Sequence, residues 1–239
     1  MQEKLDYSAL QISIEDFVSE ESNLESLLFC QNEIEEIIQL GHSIICPETH
    51  IKEFEIDQLE KNGFSIHGVD FNCGRKIAFQ LKNTEKLALF LCTVGKGVTD
   101  YYKIFTEQNE PLKAYYVDML GSISVEKSMN IFQEQFKEIM NRLDLNITNR
   151  YSPGYCDWPL FEQQKIFGLF EGNTCGISLN SSCLMIPAKS ISGVIGIGHS
   201  VKFTEHECNL CNLTHCIYRK RQRQVVTLFG ATQSGDINE

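Results

Sequence analysis

The chain has 239 residues, 42% hydrophobic and 22% charged, which is typical of a globular protein with one substantial core or two small lobes. Its net charge of −11 at pH 7 argues against a general nucleic-acid binder, because no broad basic face is offered to a phosphate backbone. No apolar run approaches the roughly 20 residues that span a bilayer, and the first residues lack signal-peptide character. We therefore expect a cytoplasmic protein with no nucleic-acid or membrane partner.

The N-terminal part predicts an edge strand followed by two helices. Apolar and polar residues alternate in YSALQISIEDFV, which favours an edge strand. From Glu21 onward the apolar residues fall at helical spacing, and Gly41 is a candidate C-cap. Residues 51–62 predict a second short helix that ends at Gly63. We assign residues 1–75 to an N-terminal helical and edge segment of the same domain.

The middle of the chain predicts strands and then a long helical part. KIAFQL and KLALFLCTVG both predict strands, and the second, a continuous apolar run, predicts a buried central strand. The loop at 93–97 lacks the spacing and the Lys-Ser/Thr pair of a phosphate-binding motif, so that interpretation is rejected. Residues 98–142 are the most helical part. Asp118, Ser122 and Glu126 share one helical face there, beside a long apolar stripe.

The segment NRYSPGYCDWPL, at 149–160, concentrates a cation, two phenols, two prolines and the only tryptophan. Its Pro-Gly pair is a turn signal, since proline presets φ and glycine accepts a positive φ. Such a turn can hold Arg150 and Tyr155 in fixed places for a small polar ligand. The alternative is a structural turn that buries Trp158 in the core.

The remainder predicts a short helix at 161–170 and then strands in CGISL, CLMIP and SISGVIGIG. Helices followed by strands close in sequence predict an α+β fold. In this fold a helical N-terminal part packs on a largely antiparallel, bent β-sheet. Residues 76–239 form the predicted core region, which carries a cysteine cluster near its C-terminal end.

Ten cysteines are many for a reducing compartment, where disulfides are rare. Core packing accounts for most of the scattered ones, which are Cys30, Cys46, Cys73, Cys92, Cys175 and Cys183. Cys208, Cys211 and Cys216, with His215 beside them, have metal-ligand spacing and predict a zinc or iron–sulfur site. There is no second C-x2-C pair, so thiols without metal are the alternative. The basic run at 218–223 would favour their reactive thiolate forms.

Several segments together resemble a known family. They are DMLGSISVE at 118–126, RYSPGYCDWPL at 150–160, MIPAKSISGVIGIG and CNLCNLTHCIYR. They resemble the S-adenosylmethionine-binding activation (reactivation) domain of cobalamin-dependent methionine synthase, and in particular its stand-alone bacterial relatives. The resemblance covers about 87–219, and the arginine–x3–glycine–tyrosine pattern that begins at Arg150 is the family's signature.

The resemblance implies a role in the reductive methylation of a corrinoid, in which S-adenosylmethionine is held over the corrin and gives up its methyl group. Arg150 would pair with the ligand's carboxylate, since a guanidinium forks onto a carboxylate bidentately. Asp144 would pair with the ligand's amino group. The full set of implied cofactor-binding residues is Asp118, Asp144, Arg150, Tyr151, Ser152, Pro153, Gly154 and Tyr155.

The chain carries no cobalamin-binding Asp-x-His-x-x-Gly motif, so the resemblance places cobalamin in a partner protein. We expect an activator of a corrinoid methyltransferase such as methionine synthase, served by an electron donor. Its role would be accessory, and the sequence leaves open whether it is an enzyme. Two alternatives stay open. One is a metal or iron–sulfur redox protein that uses the cysteines at 208–216, and the other is a ligand-sensing or scaffold protein without activity.

Overall fold

The computed structural model describes residues 1–20 and 30–204, in which helices and strands alternate along the chain. The helices are α1 (Ile14–Glu20), α2 (Gln31–Ile44), α3 (Gly74–Gln80), α4 (Gly97–Glu107), α5 (Pro111–Arg142) and α6 (Gln163–Leu169). The strands are β1 (Gln2–Lys4), β2 (Glu48–Leu59), β3 (Phe64–Ile66), β4 (Val69–Phe71), β5 (Lys86–Thr93), β6 (Asn146–Tyr151), β7 (Ser178–Leu179), β8 (Met185–Ile186) and β9 (Ser190–Gly198). Short 3-10 turns lie at Tyr7–Leu10 and Leu160–Glu162.

Within the described part of the chain, a seven-stranded sheet forms the centre of the molecule. Its strands follow the order β4-β3-β2-β5-β9-β6, and β1 pairs with the first residues of β2. These pairs are antiparallel, as is the separate β7–β8 hairpin. The predicted α+β fold with a largely antiparallel sheet is therefore confirmed.

Strand β5 is the buried central strand that the sequence predicted. Its side chains alternate between two apolar layers, one on each face of the sheet. Those that face α2 and α5 are Ala88, Phe90 and Cys92, and those that face the opposite layer are Leu87, Leu89 and Leu91. All six are fully buried. A strand covered on both faces needs apolar residues at every position, which explains the continuous run.

Helix α5, with 32 residues, is the longest element of the helical layer. Pro111 stands at its start, where a missing N–H is tolerated. Its buried apolar face includes Val117, Leu120, Met129, Phe132 and Phe136. The predicted helical character of 98–142 is confirmed, with α4 and α5 covering nearly all of it. None of the helices in the described residues is long and apolar enough to cross a membrane.

The predicted edge strand in YSALQISIEDFV is wrong, because this segment forms the first 3-10 turn and then α1. Asp6 caps the turn by accepting a hydrogen bond from the Ser8 N–H at 2.9 Å. Tyr7, Leu10 and Phe17 are buried on one side. Their spacing of three and seven residues fits a helical period better than the alternation that suggested a strand. The edge strand at this end is β1.

The predicted helix at 51–62 is also wrong, because β2 occupies this stretch. Glu53, Glu55 and Asp57 are exposed, and the intervening Phe54 and Ile56 are half-buried. This period of two is the pattern of a strand that projects beyond the helical layer. The run of acidic residues concealed the period when it was interpreted as the polar face of a helix.

KIAFQL forms part of α3 instead of the predicted strand. Ile77 and Leu81 are buried one helical turn apart, while Phe79 between them is 60% exposed. The predicted C-cap at Gly41 is likewise wrong, because α2 continues to Ile44. Gly41 instead lies against the Tyr7 ring, which leaves no room for a side chain. The first part of that predicted helix, at 21–29, lies outside the described residues.

Candidate functional site

A polar stripe runs along α5 on the side that meets β6 and the start of β9. Its members fall at intervals of three or four residues and therefore share one helical face. They are Asp118, Ser122, Glu126, Asn130 and Gln133. Each contacts a basic side chain, either Arg150 of β6 or Lys189 just before β9, and the contacts form two groups. The predicted common face of Asp118, Ser122 and Glu126 is thus present.

The first group, which we call the Arg150 cluster, joins Arg150 of β6 to three residues of the stripe. Nη1 of Arg150 donates to Asn130 Oδ1 at 2.8 Å and to Gln133 Oε1 at 2.9 Å. Nη2 donates to Glu126 Oε2 at 2.7 Å. The Arg150 side chain is 25% exposed and that of Glu126 is 55% exposed. The guanidinium is therefore held in one orientation by neutral amides and paired with a carboxylate that solvent reaches.

A bulge in β6 places Arg150 on the helical face of the sheet. The pairing of β6 with β9 shifts register between Ile147 and Arg150. Ile147 packs in the helix-facing layer, and Tyr151 packs in the opposite layer. Residues three apart in a regular strand face opposite sides, so an extra residue is needed to bring Arg150 to the same side as Ile147. The bulge therefore aims the guanidinium at α5.

The second group, the Lys189 cluster, joins Lys189, just before β9, to the other end of the stripe. Its Nζ donates to Ser122 Oγ at 2.9 Å and pairs with Asp118 Oδ1 at 2.8 Å. Gly121 makes room for this lysine, because a Cβ there would lie 2.8 Å from Lys189 Cγ. Asp118 and Glu126 are about two helical turns apart, or roughly 12 Å along the axis at about 1.5 Å per residue.

The turn after β6 is closed by its own backbone. The Gly154 N–H donates to the Trp158 carbonyl at 2.8 Å, and the Trp158 N–H donates to the Tyr155 carbonyl at 3.1 Å. Gly154 has φ of 94° and Cys156 has φ of 53°, which this tight path requires. These bonds fix the turn beside the Arg150 cluster. They also occupy the backbone N–H groups of Gly154 and Trp158.

The same turn has a buried end and an exposed end. Trp158 is 2% exposed and packs edge to face on Phe64, with ring centroids 6.1 Å apart. Tyr155 is 68% exposed. The structural interpretation of the turn is therefore confirmed for Trp158. Ligand contacts from 151–155 stay a prediction.

The structure does not bring Asp144 to Arg150. Asp144 lies at the opposite end of β6, exposed in the turn after α5 with φ of 59°. Its charge acts on His199, whose pKa is raised chiefly by a hydrogen bond to Glu85 and to a smaller extent by Asp144. A ligand group held at the Arg150 cluster would therefore find its acidic neighbours on α5.

Sequence reasoning missed Asn130, Gln133 and Lys189 as members of this region. For the two amides a signal was present, because they continue the helical spacing of Asp118 and Glu126. Lys189 lies between the predicted strands CLMIP and SISGVIGIG, where no local pattern marks a lysine that folds back onto a helix.

The scattered cysteines divide by burial. Cys73, Cys92 and Cys183 are buried, as predicted, whereas Cys46 is exposed. Burial raises the pKa of the Cys73 and Cys92 thiols to about 12, so both stay protonated at neutral pH.

The predicted metal ligands Cys208, Cys211 and Cys216 lie outside the described residues, as do His215 and the basic run at 218–223. Among residues 1–20 and 30–204, no group of three or more His, Cys, Asp or Glu side chains could hold a metal ion.

Comparison with known proteins identifies the family. Residues 77–223 match the model of the vitamin B12 dependent methionine synthase activation domain. No curated protein matches the chain. The fold is similar to a crystal structure of the MetH reactivation domain bound to AdoHcy, with a TM-score of 0.64 and 14% sequence identity, over 85% of this chain and 80% of that one. The family match covers more than half of the sequence, and the chain belongs to the family of vitamin B12-dependent methionine synthase activation domains.

Proposed function

We propose that this protein binds S-adenosylmethionine and supports the reductive methylation of a corrinoid held by a separate methyltransferase. Membership of the activation-domain family supports the reactivation role. The similar structure that holds AdoHcy supports an S-adenosyl ligand, because S-adenosylhomocysteine is what remains when S-adenosylmethionine gives up its methyl group. An electron donor completes the proposal, since reduction must accompany the methyl transfer.

The Arg150 cluster is the observation that carries the proposal. The Arg150 side chain is 25% exposed, and the amides of Asn130 and Gln133 accept two hydrogen bonds from its guanidinium, which orients it for a ligand. Such a fork pairs well with a carboxylate, and preorganisation lowers the entropy lost on binding. The amino-acid end of S-adenosylmethionine supplies that carboxylate.

The turn after β6 and Asp118 of α5 supply the remaining contacts in this proposal. Tyr155, together with the backbone of Tyr151, Ser152, Pro153 and Gly154, contacts the ligand beside the guanidinium. Asp118 offers a carboxylate to the positively charged part of the ligand, and its pairing with Lys189 would have to loosen for that contact. This chain binds and orients the methyl donor, and the partner's corrinoid supplies the metal chemistry.

An exposed apolar surface beside the turn fits the docking of the partner. It comprises Tyr155, Phe161, Leu184 and Ile186, which are 53 to 68% exposed. Gln164 Nε2 lies 3.0 Å from Cys183 Sγ and so ties the segment that holds Leu184 to α6. Large apolar side chains that are exposed together are typical of an interaction site. We place the corrinoid-binding protein here, next to the proposed methyl donor.

The first test is calorimetric titration of S-adenosylmethionine into the protein and into Arg150→Ala. We expect affinity to fall at least tenfold, or about 1.4 kcal/mol. The matched control is Arg142→Ala, which removes an exposed arginine at the end of α5 and should bind as the wild type does. Equal affinity in Arg150→Ala, or no binding by the wild type at millimolar ligand, would contradict the proposal.

A further inference from the structure

We propose that the ligand's carboxylate displaces Glu126 from Arg150 when it binds. Glu126 is then a specificity-determining residue, because a ligand must bring a carboxylate of its own to replace it. This inference rests on the proposed binding of S-adenosylmethionine. It concerns how the same site selects its ligand.

The geometry of the guanidinium separates a fixed side from an exchangeable side. Both Nη1 contacts go to neutral amide oxygens. Gln133 is 6% exposed and is the fixed contact, whereas Asn130 is exposed. The Nη2 contact goes to the carboxylate of Glu126. When one carboxylate replaces another at Nη2, the charge balance of the cluster is preserved and the amides can stay in place.

The exposure of Glu126 makes the exchange inexpensive. Its side chain is 55% exposed, against 25% for Arg150, so it can rotate into water and recover full hydration. An ion pair with one solvent-exposed partner stabilises the folded state weakly. Displacing a buried carboxylate would instead leave an unpaired charge in the protein. Glu126 can therefore compete with the ligand without blocking it.

A different role for Glu126 predicts the opposite result. The ligand carries an ammonium next to its carboxylate, and Glu126 could pair with that ammonium instead. Removal of the Glu126 charge would then weaken binding, whereas removal of a competitor strengthens it. The sign of the change separates the two roles.

The test is calorimetric titration of two ligands into the wild type and Glu126→Gln. One ligand is S-adenosylmethionine, and the other is its decarboxylated form, which keeps the amine and the sulfonium. We expect S-adenosylmethionine to bind about threefold to fivefold more tightly to Glu126→Gln, in line with the strength of an exposed ion pair. Decarboxylated S-adenosylmethionine should bind both proteins with no such gain. A merely structural role of Glu126 would not separate the two ligands.

The matched control is Glu134→Gln, the same charge change at an exposed position of α5 that pairs with Lys137 at 3.0 Å. It should leave both affinities unchanged. Equal or weaker binding of S-adenosylmethionine to Glu126→Gln, with the wild type binding normally, would overturn the inference and leave the proposed function standing. No binding by either protein would overturn the proposed function itself.

Discussion

Strand β6 has a charged residue at or near each of its ends, and the two ends differ sharply. At one end Arg150 is held by three side chains from α5 and is largely covered. At the other end Asp144 lies in an exposed turn, near the pair formed by His199 and Glu85. The helix runs beside both ends, but its polar stripe faces Arg150 alone among these charged residues.

The difference shows that a charged side chain is suited to bind a ligand when a second structural element fixes its orientation. Amide side chains on a packed helix fix the orientation of Arg150, and such preorganisation lowers the entropy lost when a ligand binds. The charges at the other end keep their hydration and contact one another across exposed turns. Three predictions test this contrast, beginning with the largest expected effect.

The Arg150 end is packed without spare room, and Gly193→Ala should reveal this as a loss of stability. A Cβ at Gly193 would lie 2.8 Å from the Phe90 ring and would collide with the Tyr151 carbonyl. Overpacking of this kind typically costs about 1–3 kcal/mol. Thermal unfolding should show a lower midpoint, by about 2–4 °C for each kcal/mol in a chain of this size.

The matched control is Gly168→Ala in α6, where nothing lies within 4 Å of the added Cβ. Alanine is the better helix former, so this variant should unfold at the same or a higher temperature. An unchanged midpoint in Gly193→Ala would show that the strands can separate locally to admit the methyl group.

The far end of β6 should contribute little to ligand binding. We expect Asp144→Asn to change the affinity for S-adenosylmethionine by less than about twofold, which is under 0.5 kcal/mol, because Asp144 is exposed and remote from the Arg150 cluster. Titration under the conditions used for Arg150→Ala gives the comparison directly. A tenfold loss in Asp144→Asn would restore it as the partner of the ligand's amino group and break the contrast between the two ends.

The smallest effect concerns the pair at this far end. A hydrogen bond to Glu85 raises the pKa of His199 above 6.5, and the His199 backbone N–H lowers the pKa of Glu85 below 4.5. Because the pKa of His199 is raised on folding, the protonated histidine stabilises the fold below pH 6.5, and this stabilisation is lost as the pH rises through the raised pKa. Because the pKa of Glu85 is lowered on folding, the ionised glutamate stabilises the fold above pH 4.5, and this stabilisation is lost as the pH falls through the lowered pKa.

The contribution of the pair should therefore be greatest between these two values. Urea unfolding of the wild type and His199→Ala should differ more at pH 5.5 than at pH 8.5, although the pair is exposed and the difference small. Glu85→Gln should remove this dependence on pH. A constant difference across the range would mean that the pairing does not persist in solution.

The parts of the fold that the sequence predicted are those where one physical constraint dominates. Residues 87–92 of KLALFLCTVG are all apolar because β5 is covered on both faces, and the stripe of α5 repeats over many turns. Strand β2 and helix α3 were assigned wrongly because each is short of distinctive signals. The acidic residues of β2 point into solvent, and α3 is a short helix whose Phe79 is exposed.

The candidate site was predictable in part. Arg150 and the turn after it stood out by composition and by resemblance. The partners Asn130 and Gln133 follow from helical spacing once the pairing of α5 with β6 is known. The bulge that aims Arg150 at α5 depends on tertiary register, which the local sequence of β6 does not encode.

Strand β2 has a consequence for where this fold can be divided. The family match begins at residue 77, after β2, yet β2 pairs with β5 along eight residue positions. A fragment that started at the match would present β5 as an open edge whose residues 87–92 are all apolar. Such an edge recruits other chains. The first part of the chain therefore protects the family segment, since β2 covers an edge of β5 that would otherwise be open to other chains.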